Sequence, residues 1–394
     1  MAKLKNMTTL TSRERMWQAL NHQEPDMVPL DLNGTCCTAL TLEAYKNLRE
    51  YLEMTPDEQP DLSSRIMMSV RSRQDLLSHY EIDTRTIYLK PPSVSAEREM
   101  SDGSYYDEYD IRWRPASYYY DAVERPLALA TTYDLDQAAW PNPYDPGLVK
   151  GLRDEVQQLY NTTSYSLVAD MPAFGPFEGC GLTRGYEQFF VDLYTDHAFA
   201  EALLDKCTQT LIEYLSVLLD EVGDLIQVVA IGDDVAMQTG PFISLPMYRH
   251  YVKPRHKKIF DFIHAHTKAK IFYHSCGSVY DLIPDFIEEG IDILNPVQTS
   301  AAKMDLARLK QEFGNELCFW GGGIDIQTQL PVYSPEQIED EVKRTLDIMA
   351  PGGGYVFFPT HNIQADVTPQ RIDTMFNSVL RHRNYQSTLT PKGA

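Results

Sequence analysis

No run of about eighteen or more apolar residues, the length a helix needs to cross a bilayer, occurs in the chain, so no membrane partner is expected. The opening MAKLKNMTTLTSRERMW lacks an apolar stretch followed by a cleavage site, which argues against export and for a cytoplasmic location. Cysteine is scarce, with six in 394 residues and no regular spacing. A core of this size needs no covalent staples, so the thiols read as reduced, and any special one reads as a ligand rather than a bridge. Basic residues are outnumbered, 35 Lys plus Arg against 56 Asp plus Glu, and the formal charge of −21 repels a phosphate backbone, which excludes nucleic acid as a partner. The acidic residues are spread over many predicted helix faces, a pattern that points to solubility and says little about a substrate. Internal repeats, low-complexity tracts and dividing linkers are missing too, so residues 1–394 read as one domain whose oligomeric state, homo-oligomer included, is left open.

What is present is an alternation of short apolar runs with longer helical patterns, the signature of a parallel sheet wrapped by helices. Strands are predicted in MVPLDL from Met27, SLVAD ending at Asp170, IQVVAIG from Ile226, KIFYH ending at His274, IDILN from Ile291, LCFWG from Leu317 and YVFF from Tyr355. Apolar residues at three- and four-residue spacing predict helices over Ala198 to Leu219, Pro246 to His266, Val279 to Glu288, Asp305 to Glu312 and Pro335 to Met349. That many repeated units, without a nucleotide fingerprint at a first strand–helix turn, predict an α/β fold of the (β/α)8 TIM barrel type. The stretch from Thr84 to Ala130, with its tyrosine-rich YYDEYDIRWRP and YYYDAVERPL, breaks the alternation and predicts an antiparallel insert in the N-terminal third. Its tyrosines are open to two readings, a lid over a pocket or strand propensity alone.

Several chemically active residues fall just beyond strand ends, the face on which barrel active sites collect. In KIFYHSCG, His274 and Cys276 are two residues apart, and an imidazole and a thiolate so placed suit zinc. The strand in GGGYVFFPTHN runs straight into His361, a second imidazole for the same rim. Asp233 and Asp234 follow IQVVAIG in the same manner, as completing ligands, catalytic groups or mere helix caps. Gln238, Gln298, Asn362 and Gln364 lie just past strand ends and are candidates for binding substrate oxygens or for tying loops. The vicinal Cys36 and Cys37 follow another strand end and are reserve ligands; Cys180 sits in a glycine-flanked loop, while Cys207 and Cys318 read as packing.

HSCGSVYDLIPDFIEEGIDILNPVQ, FWGGGIDIQTQLP and GGGYVFFPTHNIQADVTPQRI, with the opening TSRERMWQALNHQEPDMVPLDL, together resemble the uroporphyrinogen decarboxylase superfamily over nearly the whole chain, and within it the branch of cobamide-dependent methyltransferases. The resemblance implies a (β/α)8 barrel and a zinc ion held by an H-x-C pair and one later cysteine. His274 and Cys276 match the pair, and His361 falls where the family has its last cysteine. Such a substitution leaves the ion less electron-rich, which suits polarising an ether oxygen. The resemblance further implies a methyl transfer from a small, methoxylated donor to the cobalt of a corrinoid (cobalamin) carried by a partner protein. The alternatives are a second methyltransferase that moves the methyl from corrinoid to a thiol, and a decarboxylase-like lyase. The arginine-containing segment with which the decarboxylase grips its carboxylates is replaced here by DLNGTCCTALTLEAY, which has no arginine.

Overall fold

The computed structural model describes residues 9–385. Seven parallel strands form one sheet in the order Tyr355–Val356, Cys318–Trp320, Ile293–Asn295, Lys270–His274, Val228–Gly232, Ser166–Ala169 and Thr84–Ile87. Both faces of these strands are buried, which is why they read as unbroken apolar runs rather than as alternating patterns. The eighth place belongs to the extended segment around Leu30. Leu30 bridges Phe357 in parallel, the Asp31 N–H donates to the Phe357 carbonyl (3.0 Å), and the Asp83 N–H donates to the Leu30 carbonyl (2.9 Å), so the two sheet edges are joined and the barrel closes. Inside the closure, the buried Asp31 carboxylate accepts from the Thr84 hydroxyl and from Trp320 Nε1 (2.8 Å).

Helices pack outside the sheet as expected: His197–Val222, Lys253–His266, Ile283–Glu289, Leu306–Phe313 and Pro335–Met349 match five sequence-based assignments within a few residues. The predicted start at Pro246 includes a turn of π-helix, Tyr248–Val252, ahead of the regular helix. No helix among the described residues is long and apolar enough to cross a membrane.

One boundary moves. Thr84–Ile87, assigned to the insert from sequence, is a barrel strand paired in parallel with Ser166–Ala169. The antiparallel insert is confined to the strands Arg98–Glu99, Tyr105–Tyr106, Arg112–Pro115 and Tyr120–Glu124. Its inner side, Tyr105, Tyr109, Ile111 and Trp113, forms a small core of its own, packed against Ile66, Phe174 and Leu182 of the surrounding segments. The insert therefore sits over the loops that follow the strands.

Candidate active site

A cavity of about 760 Å³ opens among those loops. Its wall includes Cys36, Cys37, Asp170, Glu178, Asp234, His274, Cys276, Gln298, His361 and Gln364, with Tyr109 and Tyr119 reaching in from the insert.

His274 is the last residue of its strand and its ring is almost wholly buried. Its Nδ1–H donates to Asn295 Oδ1 (2.6 Å), and the Asn295 amide is held in that orientation by its own donation to the Trp320 carbonyl (2.8 Å). The proton is thereby kept on Nδ1, and the Nε2 lone pair faces Cys276 Sγ at 3.5 Å, the arrangement a metal-binding imidazole requires. Immediately after Cys276, Gly277 takes a φ of +92°. A side chain there would strike the backbone of Ala236 and Met237, so the tight turn that presents the thiol needs glycine.

The ligand atoms of Cys37, His274 and His361 lie within 4.8 Å of one another, and so do those of Asp234, His274 and Cys276. The three ligands expected from sequence thus do not form one compact triad; they belong to two overlapping triads that share His274. The Cys276 N–H donates to Asp234 Oδ1 (2.7 Å), which draws that thiol to the Asp234 side, while Cys37, a reserve ligand in the sequence, stands beside His361. Burial, reinforced by the neighbouring His274, pushes the His361 imidazole down to about 3, so it is neutral and free to coordinate. The hydrogen bond with Cys36, then burial, raise the Cys37 thiol well above its usual range, and burial does the same to Cys276. A divalent cation reverses that tendency by binding the thiolate form. Two imidazoles, two thiols and a carboxyl group around one pocket are a donor set that fits zinc.

Asp233 takes no part in this cluster, contrary to expectation. Its carboxylate accepts from the N–H groups of Phe177 (3.0 Å) and Glu178 (2.6 Å) at the start of the helix Pro176–Cys180, and from His256 Nε2 (2.7 Å). Adjacent residues leaving a strand point to opposite sides, so of the acidic pair only Asp234 faces the cavity. Gln238 and Asn362 also lie off the cavity wall: Gln238 bonds Gln327 (3.2 Å), and Asn362 donates to the Cys36 carbonyl (3.0 Å). Gln298 and Gln364 do line it. Gln298 accepts from the Gly277 N–H (2.7 Å), and Gln364 donates to the Tyr119 hydroxyl (2.7 Å), which ties the insert to the barrel.

Glu178 was not singled out from sequence. It lines the cavity beside Asp234, and burial, then the charges of Asp234 and Asp233, hold its carboxyl well above the usual range, which favours its protonated form. The signal was present in GPFEGC, where glycine and proline open a short helix with an acid in its first turn, in the segment that follows the strand Ser166–Ala169.

The closed barrel, with a cavity and convergent polar side chains beyond the carboxyl ends of its strands, has the architecture of a TIM-barrel enzyme. The uroporphyrinogen decarboxylase (URO-D) family model matches residues 173–382, and the chain belongs to that family. Two kinds of curated relative resemble it. The uroporphyrinogen decarboxylase of Shewanella piezotolerans is 25% identical over 203 residues, 50% of this chain and 53% of that protein, so the match spans about half the relative's length. The methylcobamide:CoM methyltransferase MtbA of Methanosarcina mazei is 24% identical over 366 residues, 91% of this chain and 97% of that protein. Among solved structures, a methyltransferase from Methanosarcina mazei superimposes with a TM-score of 0.65 at 17% identity, covering 94% of this chain and 99% of the other, which shows a shared fold.

Proposed function

We propose that the protein is a zinc-dependent methyltransferase that moves a methyl group from a small methoxylated molecule to the cobalt of a corrinoid held by a separate protein. The observation that carries this reading is the rim cluster, in which Cys37, Asp234, Cys276 and His361 gather around His274. Zinc bound there would act as a Lewis acid toward the substrate oxygen. The chain's own residues supply the rest. Asn295 orients His274, and Asp234 fixes the backbone of Cys276. Glu178 holds a proton on its carboxyl, available to the oxygen that loses the methyl group. Tyr109, Tyr119 and Phe174 give the cavity an apolar wall that limits water.

A second reading, methyl transfer from corrinoid to a thiol, is favoured by two observations. Cys37 restores a second sulfur to the cluster, and the relative similar over 91% of the chain bears the name of a methylcobamide:CoM methyltransferase. Decarboxylation of a polyacidic porphyrinogen suits the cavity less well, because four acidic side chains and only one guanidinium face it. The test is to mix purified protein and zinc with reduced cobalamin and a panel of methyl ethers, and separately methylcobalamin with thiols, and to follow the cobalamin spectrum. Methylation of reduced cobalamin by an ether is expected; demethylation of methylcobalamin by a thiol, with no ether active, would select the second reading.

A further inference from the structure

The four acidic side chains on the cavity wall are Glu108, Asp170, Glu178 and Asp234, and the guanidinium is that of Arg71. Arg71 makes no ion pair with any described residue, and its Nε is buried with no acceptor. A guanidinium cannot shed its charge, and a buried donor without a partner is costly, so the arrangement calls for an anion that the protein does not itself supply. The obvious internal candidate, Asp170, is near enough for the Arg71 charge to act on it, but it makes no ion-pair contact and directs its two oxygens to the N–H groups of Cys36 and Met171 (2.9 Å each).

The guanidinium is also held in place. Its carbon lies 4.0 Å over the ring of Tyr88, the Tyr88 hydroxyl accepts from Asn33 Nδ2 (2.9 Å), and Asn33 Oδ1 accepts from the N–H of Ser72, next to Arg71 in the chain. This loop of contacts returns to its starting point, so the cation is positioned before any ligand arrives. A planar fork in that state matches the two oxygens of a carboxylate.

We propose that Arg71, stacked on Tyr88, is a subsite for an anionic head group on the small-molecule substrate, so that the methyl donor is a methoxylated carboxylic acid. The inference rests on the methyl-transfer reading above for the word donor, and on the cavity alone for the anion. Room for a benzoate-sized body exists in about 760 Å³, with Met67, Tyr109 and Phe174 as apolar wall.

The test is calorimetric titration of the full chain with the three isomeric methoxybenzoates, the matching methoxybenzamides and the sulfonated thiol mercaptoethanesulfonate, for wild type, Arg71→Gln and Arg71→Lys. At least one acid should bind at least tenfold more tightly than its amide. Arg71→Gln should weaken that acid about ten- to a hundredfold while leaving the amide unchanged, and Arg71→Lys should recover part of the loss, as a point charge without the fork does. Equal binding of acid and amide, absence of binding by every anion, or a parallel loss for acid and amide in Arg71→Gln would overturn the subsite. Arg71-dependent binding of the sulfonated thiol, with none of the methoxybenzoates, would support the anion subsite while overturning the donor reading.

Discussion

Replacing Asn295 by leucine tests how the barrel prepares His274. Asn295 is 1% exposed; its Oδ1 accepts from His274 Nδ1–H and its Nδ2 donates to the Trp320 carbonyl. Leucine fills similar space but accepts no proton, so the imidazole is released to the tautomer that carries hydrogen on Nε2 and cannot coordinate. Loss of such an outer partner lowers metal affinity by about 10- to 100-fold, or about 1.4–2.8 kcal/mol. Separately, the Trp320 carbonyl loses its donor, at about 1–3 kcal/mol of folding stability. The two effects are read independently, zinc affinity by competition with a fluorescent chelator and stability by urea unfolding of metal-free protein. Asn295→Asp is the control: it keeps an acceptor for Nδ1–H but sets a charge against the Trp320 carbonyl, so stability should fall while zinc affinity is retained. A leucine variant that is destabilised yet binds zinc like wild type would refute the link between Asn295 and the tautomer.

Two further outcomes follow from other parts of the site. Glu178→Gln removes the proton held near Asp234, and the transfer rate from an unactivated ether should drop about 10²- to 10⁴-fold with zinc content unchanged; single-turnover kinetics at matched zinc checks this, and an undiminished rate would remove Glu178 from the mechanism. His256 is wholly buried between Asp233 (2.7 Å) and Glu289 (3.2 Å), and His256→Gln, which leaves two carboxylates without a cation, should lower stability by about 3–5 kcal/mol in urea unfolding at neutral pH. Burial alone would lower the His256 pKa, but the bonds to Asp233 and Glu289 outweigh it and raise the value to about 9. A folded-state pKa above the unfolded value of 6.5 means that this stabilisation is fully present below 6.5 and fades as pH rises through about 9. The wild type should therefore lose stability relative to His256→Gln across that window, and parallel pH curves for the two proteins would contradict the assignment.

Much of the barrel was legible because buried parallel strands are contiguous apolar runs. KIFYH ends at His274 in both the reading and the structure, and Pro335–Met349, read from its apolar spacing, has the same bounds in the structure, where Ser334 caps it. Thr84–Ile87 escaped because TRTI has polar alternate positions and leads into a tyrosine-rich tract, which hides a barrel strand behind the composition of its neighbour. The closing segment at Leu30 was recognised as extended, but its place between the first and last strands of the sheet depends on pairing over more than three hundred residues, which local patterns do not encode. At the site, strand-end position brought His274, Cys276 and His361 to one rim. It did not separate Asp233 from Asp234, since one residue of offset decides between the helix layer and the cavity. Nor did it rank Cys37 above Cys36. Glu178 was hidden by the glycines and cysteine around it, and its raised pKa comes first from burial and then from Asp234 and Asp233, more than fifty positions further along the chain.

The most direct test of the rim cluster as a mixed nitrogen and sulfur zinc site is zinc K-edge absorption on protein reconstituted with one equivalent of metal. The expected shell contains imidazole nitrogen at about 2.0–2.1 Å and sulfur at about 2.3 Å, and the sulfur contribution should fall in both Cys37→Ser and Cys276→Ser. Failure to bind zinc, or a shell of nitrogen and oxygen alone that neither substitution alters, would contradict it.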